Sequence, residues 1–335
     1  MKISKKKLTY SIPDSVSRYL SFYGRLKELP LSYDSLRRYK ESFALDSTLW
    51  QTVIYSPEDA EEINAGLCYI YSLLRTSGNI MVMKHLRVDR IDLCMFGNSQ
   101  PFRVRIINDF NDNYDYFYVK RADLSRVIGL ELEDLLSPNK ISYYVDKNTL
   151  IEEHITGIPG DEFILNEMKH PKANKTRLAK EFIKFNERCF YTLLGDMRSY
   201  NFVVELTHDF DGMQYRIRSI DFDQQCYEGR ARLYLPQFYK ENFEYVNMVT
   251  STLDTKSIVQ YQSEERSRLA SRVKHARYIL KDLFDVIAKE VISPEEKVRQ
   301  LGKELANYHK TTFFDNCKTM AELLRQQLLL LDYDE

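Results

Sequence analysis

The sequence predicts an α+β protein with two unequal lobes, and three observations carry that expectation. Residues 85–158 read as strands broken by one short helix, and residues from 175 onward read as helices around a lone hairpin. Between these textures stands a hinge-like Gly157-Ile158-Pro159-Gly160. A cleft between lobes is a usual place for a ligand.

Taken in order, residues 1–84 are expected to be mainly helical. Residues 15–29 and 57–75 carry helix-spaced apolar side chains, and Pro57-Glu58-Asp59 opens the second stretch as a helix N-terminus prefers. Strands are predicted over 87–96, 102–107 and 114–119, with polar turns at Gly97-Asn98-Ser99 and over 108–113. A helix over 124–136 follows, then strands over 141–145 and 150–154. A helix over 175–191 precedes the hairpin, whose strands are expected over 202–206 and 213–220 around a turn at 207–212. The expected domains are a helical N-terminal extension (1–84), a smaller lobe (85–158) and a mainly helical larger lobe (159–335).

The chain of 335 residues has room for two cores, and 44% hydrophobic with 29% charged residues suits a globular protein. Lys+Arg 48 against Asp+Glu 49 gives a formal charge of -1, which supplies no electrostatic reason to expect nucleic acid as a partner. Lys2, Lys5, Lys6 and Lys7 read as a solvated terminus. The five dispersed cysteines suggest reduced thiols. No apolar run reaches the roughly 18–20 residues of a membrane span, and no apolar region behind the lysines suggests a secretory signal, so a cytoplasmic location is expected.

The chemistry concentrates in Leu194-Gly195-Asp196-Met197-Arg198-Ser199-Tyr200-Asn201, on a loop between a helix and a strand, where a carboxylate is both exposed and held. Twenty residues later, after the hairpin, comes Ile220-Asp221-Phe222-Asp223. Asp and Asn oxygens flanking one hairpin can converge on a hard cation such as Mg²⁺, which completes its shell with water and phosphate.

The pattern D-x-x-x-x-N, a hairpin, then D-F-x after an apolar strand resembles the catalytic loop and metal motif of protein-kinase-like phosphotransferases. Its wording is closest to aminoglycoside and choline kinase-type enzymes. The resemblance covers residues 86–230 and implies a two-lobed kinase-like fold using ATP and Mg²⁺, with Asp196 as the catalytic base or acceptor-orienting carboxylate and Asn201 and Asp221 holding metal. It further implies that Lys120, ending a strand as Tyr116-Phe117-Tyr118-Val119-Lys120, reaches the nucleotide phosphates. On the next helix Glu131 falls in the apolar arc with Val127, Ile128, Leu132 and Leu135, which makes it the expected partner of Lys120, whereas Glu133 points to the opposite face. Backbone groups near Glu153, His154 and Ile155 are expected to meet adenine, and Gly97, Asn98 and Ser99 to cover phosphates.

The departures are a missing G-x-G-x-x-G, Leu194 in the place of the catalytic-loop His, Asp223 as the third residue of D-F-G, and no A-P-E segment. The expected reaction is transfer of the γ-phosphoryl group to a hydroxyl-bearing acceptor, with a small molecule favoured. A bacterial-type protein Ser/Thr kinase and a pseudokinase binding nucleotide or a partner stay open, and the helical ends offer surfaces for a protein partner. Other features read as ordinary structure. His208, Asp209 and Asp211 are expected in a solvent-facing turn, Tyr234, Tyr239 and Tyr245 in helix packing, and Arg218, Arg230 and Arg232 in solvent. Lys274, His275, Arg277 and Lys281 are expected to form a charged helix face, and Leu323, Leu324, Leu328 and Leu331 to pack on the larger lobe.

Overall fold

The computed structural model describes residues 7–45, 49–76, 78, 84–95, 97–171, 173–210 and 212–332. The chain is a mixed α+β protein whose sheets are antiparallel, and it divides into two compact units. The first comprises Met1–Leu124 with Ile141–His154, the second Ser125–Lys140 with Ile155–Glu335.

The first unit is built on a seven-stranded sheet. Its strands are β1 (Glu41–Ala44), β2 (Trp50–Ile54), β3 (Leu86–Cys94), β4 (Phe102–Asn108), β5 (Tyr114–Arg121), β6 (Tyr143–Asp146) and β7 (Thr149–Glu153), in the order β1-β2-β3-β4-β5-β7-β6. Helices α1 (Asp14–Phe22), α2 (Tyr33–Leu36) and α3 (Pro57–Thr76) complete it. Strand alternation sends Ile91, Leu93, Phe102, Val104, Ile106, Phe117, Val119 and Ile151 into one apolar layer with Leu67, Ile70 and Leu73 of α3. The opposite sheet face carries Trp50, Arg103, Tyr116 and Tyr118, with the Arg103 guanidinium 4.4 Å from the Trp50 ring and 5.3 Å from that of Tyr116.

Two expectations for this region are corrected. Helices α1, α2 and α3 predominate among the described residues before β3, as expected, but β1 and β2, which were not expected, join the sheet, and the unit that holds them continues past residue 84. The reason is visible in β1, an edge strand exposed along its length and therefore without an apolar period to read. Lys7 is not solvated but buried, with its ammonium 2.6 Å from Asp123, whose second oxygen accepts from the Tyr10 backbone N–H. Lys2, Lys5 and Lys6 lie outside the described residues, as does Phe96 at the end of the predicted first strand.

The second unit holds α4 (Leu124–Leu136, counted here from Ser125), α5 (Gly160–Asn166), α6 (Lys175–Tyr191), and the strands β8 (Ile158–Pro159), β9 (Phe202–Asp209) and β10 (Gly212–Ser219). Helices α7 (Phe243–Thr252), α8 (Thr255–His275), α9 (Arg277–Ile287), α10 (Glu295–His309) and α11 (Met320–Leu329) follow. Asn174 caps α6 by accepting from the Arg177 N–H, and from Leu178 onward most of that helix is buried. The segment expected as a hinge is instead a short strand. Ile158 pairs with Val204 and Pro159 with Val203, and Gly157 admits Val203 so closely that an added Cβ would sit 2.9 Å from its side chain. The hairpin is longer than expected, pairing Thr207, His208 and Asp209 with Gln214, Met213 and Gly212; Asp211 lies outside the described residues. Leu323, Leu324, Leu328 and Leu331 are buried, and Lys274, His275, Arg277 and Lys281 are exposed. Among the described residues no helix is long and apolar enough to cross a membrane.

Candidate functional site

In the second unit α6 runs into a loop stitched to the segment after β10. Cys226 N–H donates to the Leu193 carbonyl at 2.9 Å, Gly195 N–H to the Gln224 carbonyl at 3.3 Å, and Leu194 and Gln225 form an isolated bridge. Glycine at 195 gives the loop room, since an added Cβ would stand 3.1 Å from the Gln224 carbonyl oxygen. Further on, the Ile220 N–H donates to the Asn201 carbonyl at 3.0 Å. These bonds join the loop bearing Asp196 and Asn201 to the strand end bearing Asp221.

Asp196 adopts a left-handed backbone at φ 59, a conformation Asp tolerates better than most residues but still at a cost of about 1 kcal/mol or more. Its N–H donates to the Tyr239 hydroxyl at 3.0 Å, and that hydroxyl donates to the Leu233 carbonyl at 2.7 Å. Asn201 Nδ2 donates to the Asp196 carbonyl at 2.7 Å and reaches its carboxylate at 3.5 Å. With that nitrogen committed, the Asn201 amide oxygen is the atom left for a cation. Arg198 Nε lies 3.2 Å from the Asp196 carboxylate. Burial nevertheless pushes the Asp196 carboxyl up to about 7; Arg198 opposes this, while the charges of Asp221, Glu228 and Glu241 add to it.

Asp221 and Asp223 form a local turn in which the Asp223 N–H donates to Asp221 Oδ1 at 3.0 Å. The Asp223 carboxylate meets Arg126 Nη2 of α4 at 2.7 Å in a buried ion pair. Between them Phe222 packs on Gly129 of α4, where an added Cβ would stand 2.8 Å from the Phe222 Cβ. Sequence reasoning missed Arg126 and Gly129, and it placed Tyr239, whose hydroxyl accepts from the Asp196 N–H, in helix packing. The available signal was an arginine inside an otherwise apolar helix, which burial forces to find a carboxylate.

Glu131 is buried on α4. Glu133 also faces the interior, contrary to expectation, because α4 is enclosed on nearly all sides. It lines a small cavity of about 10 Å³, with room for about one water, together with Arg188 and Cys189. Burial raises the Glu133 carboxyl, against the pull of Arg188, and Arg188 itself bridges Glu181 at 2.9 Å and Glu265 at 3.3 Å.

In the first unit the Lys120 ammonium stands 2.7 Å from the Glu152 carboxylate in a buried bridge, a contact not expected from the sequence. Sheet register brings the two together. Lys120 lies opposite Leu150, so Glu152, two residues along β7, shares its face. The Tyr118 ring lies 5.6 Å from the same ammonium. His154 Nδ1 is 3.2 Å from the Tyr118 hydroxyl, and burial lowers the imidazole pKa. Glu153 accepts from the Ser142 N–H at 2.8 Å, and Gly97 has the positive φ of 84 that suits a glycine turn beside Asn98 and Ser99. Ile155 is buried in the second unit. Among the described residues no three His, Cys, Asp or Glu side chains group as a metal site, so a cation beside Asp221 would also need the Asn201 amide oxygen, water or phosphate. Burial is the main cause of the rise at Asp196, and the charges of Asp221, Glu228 and Glu241 that add to it are what such a cation would relieve.

No known protein family matches the chain, and no curated protein matches it. Among solved structures, the autoinhibited serine kinase domain of the giant muscle protein titin is similar at 12% identity, covering 72% of this chain and 92% of that one, with a TM-score of 0.29. A superposition that loose transfers no residue role.

Proposed function

We propose that the chain is a kinase-like phosphotransferase that moves the γ-phosphoryl group of ATP, with Mg²⁺, to a hydroxyl acceptor, a small molecule being favoured. One observation carries the reading: Asn201 is hydrogen-bonded to Asp196 and to the Ile220 N–H next to Asp221, at a place where burial and neighbouring charge, Asp221 included, raise the Asp196 carboxyl to about 7. A base near neutral pKa can take the acceptor proton as the new O–P bond forms and the bond to ADP breaks. Asn201 and Asp221 would hold Mg²⁺. When bound, the ion neutralises negative charge on the transferring group. Lys120 is assigned to the phosphates, Gly97, Asn98 and Ser99 to covering them, and Glu153, His154 and Ile155 to adenine. Glu131 is retained as a supporting carboxylate.

The test is ADP release from Mg-ATP, alone and with a panel of hydroxyl compounds, by wild type, Asp196→Ala and Asp221→Ala. Loss of about 100-fold or more in both variants is expected. Wild-type turnover in both refutes the assignment. A second reading, binding without turnover, is favoured by Lys120, whose ammonium is already held by Glu152 with Tyr118 beside it. Nucleotide-dependent thermal stabilisation with no ADP release selects it.

A further inference from the structure

We propose that Arg126 is a positioning residue that sets the orientation of Asp221 through Asp223, so that α4 controls the metal-binding carboxylate. The inference rests on the phosphotransferase reading and deepens it. Three consecutive residues are fixed to α4 or to each other. Asp223 is held by Arg126 Nη2 at 2.7 Å, Phe222 is seated on Gly129, and Asp221 Oδ1 is held by the Asp223 N–H at 3.0 Å. The pair is enclosed, with the Arg126 side chain 2% and that of Asp223 11% exposed, so solvent screens it little. Removing the guanidinium takes away the charge that holds the Asp223 carboxylate on α4, and the turn carrying the Asp221 hydrogen bond loosens with it. Arg126 and Gly129 lie three residues apart on one helix face, so a displacement of α4 breaks both restraints together.

The test measures the Mg²⁺ concentration that half-saturates ATP binding, by calorimetry, in wild type, Arg126→Met, Asp223→Asn, the double variant and Arg126→Lys. Circular dichroism verifies folding. Each single substitution is expected to raise that concentration at least tenfold, the double variant no further than either single, and Arg126→Lys less than Arg126→Met. ATP binding without Mg²⁺ should stay unchanged, which a general loss of structure would not allow. Should Arg126→Met fail to fold, Asp223→Asn and Arg126→Lys decide the question. A wild-type Mg²⁺ dependence shared by the folded variants, or additive effects in the double variant, overturns the positioning role alone. No Mg²⁺ dependence in the wild type overturns the phosphotransferase reading and this inference with it.

Discussion

Replacing Asp196 by Asn should stabilise the protein at alkaline pH while removing its chemistry. In the folded chain the Asp196 carboxyl is raised from 3.8 to about 7, with burial as the largest cause. The folded state therefore keeps a proton that the unfolded chain has released, and stability falls as pH rises from about 4 to about 7. A rise of that size corresponds to at most about 4 kcal/mol at pH 8. The side chain is 29% exposed, and solvent screening reduces the expected figure to about 2 kcal/mol. Asparagine keeps the shape and cannot ionise, so the variant escapes the penalty. Urea denaturation of both proteins at pH 4.5 and pH 8 reads the effect. The variant should be more stable by about 2 kcal/mol at pH 8 and nearly equal to wild type at pH 4.5. A difference independent of pH, or a variant weaker at pH 8, refutes the electrostatic account of this site.

Three further perturbations test neighbouring claims. Gly129→Ala should lose about 1–3 kcal/mol in chemical denaturation despite the better helix propensity of Ala, because the new Cβ meets Phe222 at 2.8 Å; unchanged stability would mean that Phe222 does not need α4 so close. Lys120→Met should cost about 3–5 kcal/mol by leaving the Glu152 carboxylate buried alone, and adding Glu152→Leu should restore most of it; equal losses in single and double variants would contradict the pairing. His154 has its folded pKa lowered by burial, with Arg103 and Arg75 adding to the effect against Asp115. It should therefore reduce stability as pH falls through about 6.5, the unfolded value. His154→Gln should flatten that slope, and an identical slope in both proteins would show that the imidazole is not the cause.

Helices over 124–136 and 175–191 emerge with the bounds their periodicity predicts, since a long apolar stripe fixes a helix locally. That the loop bearing Asp196 and Asn201 lies beside the strand end leading to Asp221 was also legible, because a hairpin keeps its two ends together. What escaped was long-range or featureless. Arg126 and Asp223 stand 97 residues apart, Lys7 and Asp123 stand 116 apart, and no local pattern announces either pair. The Lys120–Glu152 bridge depends on the register between β5 and β7, which no local pattern announces. Strands β1 and β2 are short, and β1 is exposed along its length, so the long apolar helix α3 dominated the reading of that region.

The central claim is that Asn201 and Asp221 hold a divalent cation together with ATP. Calorimetric titration of ATP into wild type and Asp221→Ala, with and without Mg²⁺, addresses it most directly. Binding strengthened by Mg²⁺ in the wild type, with that increment gone in Asp221→Ala, is the expected result; ATP binding indifferent to Mg²⁺, or an increment that survives the loss of Asp221, would contradict it.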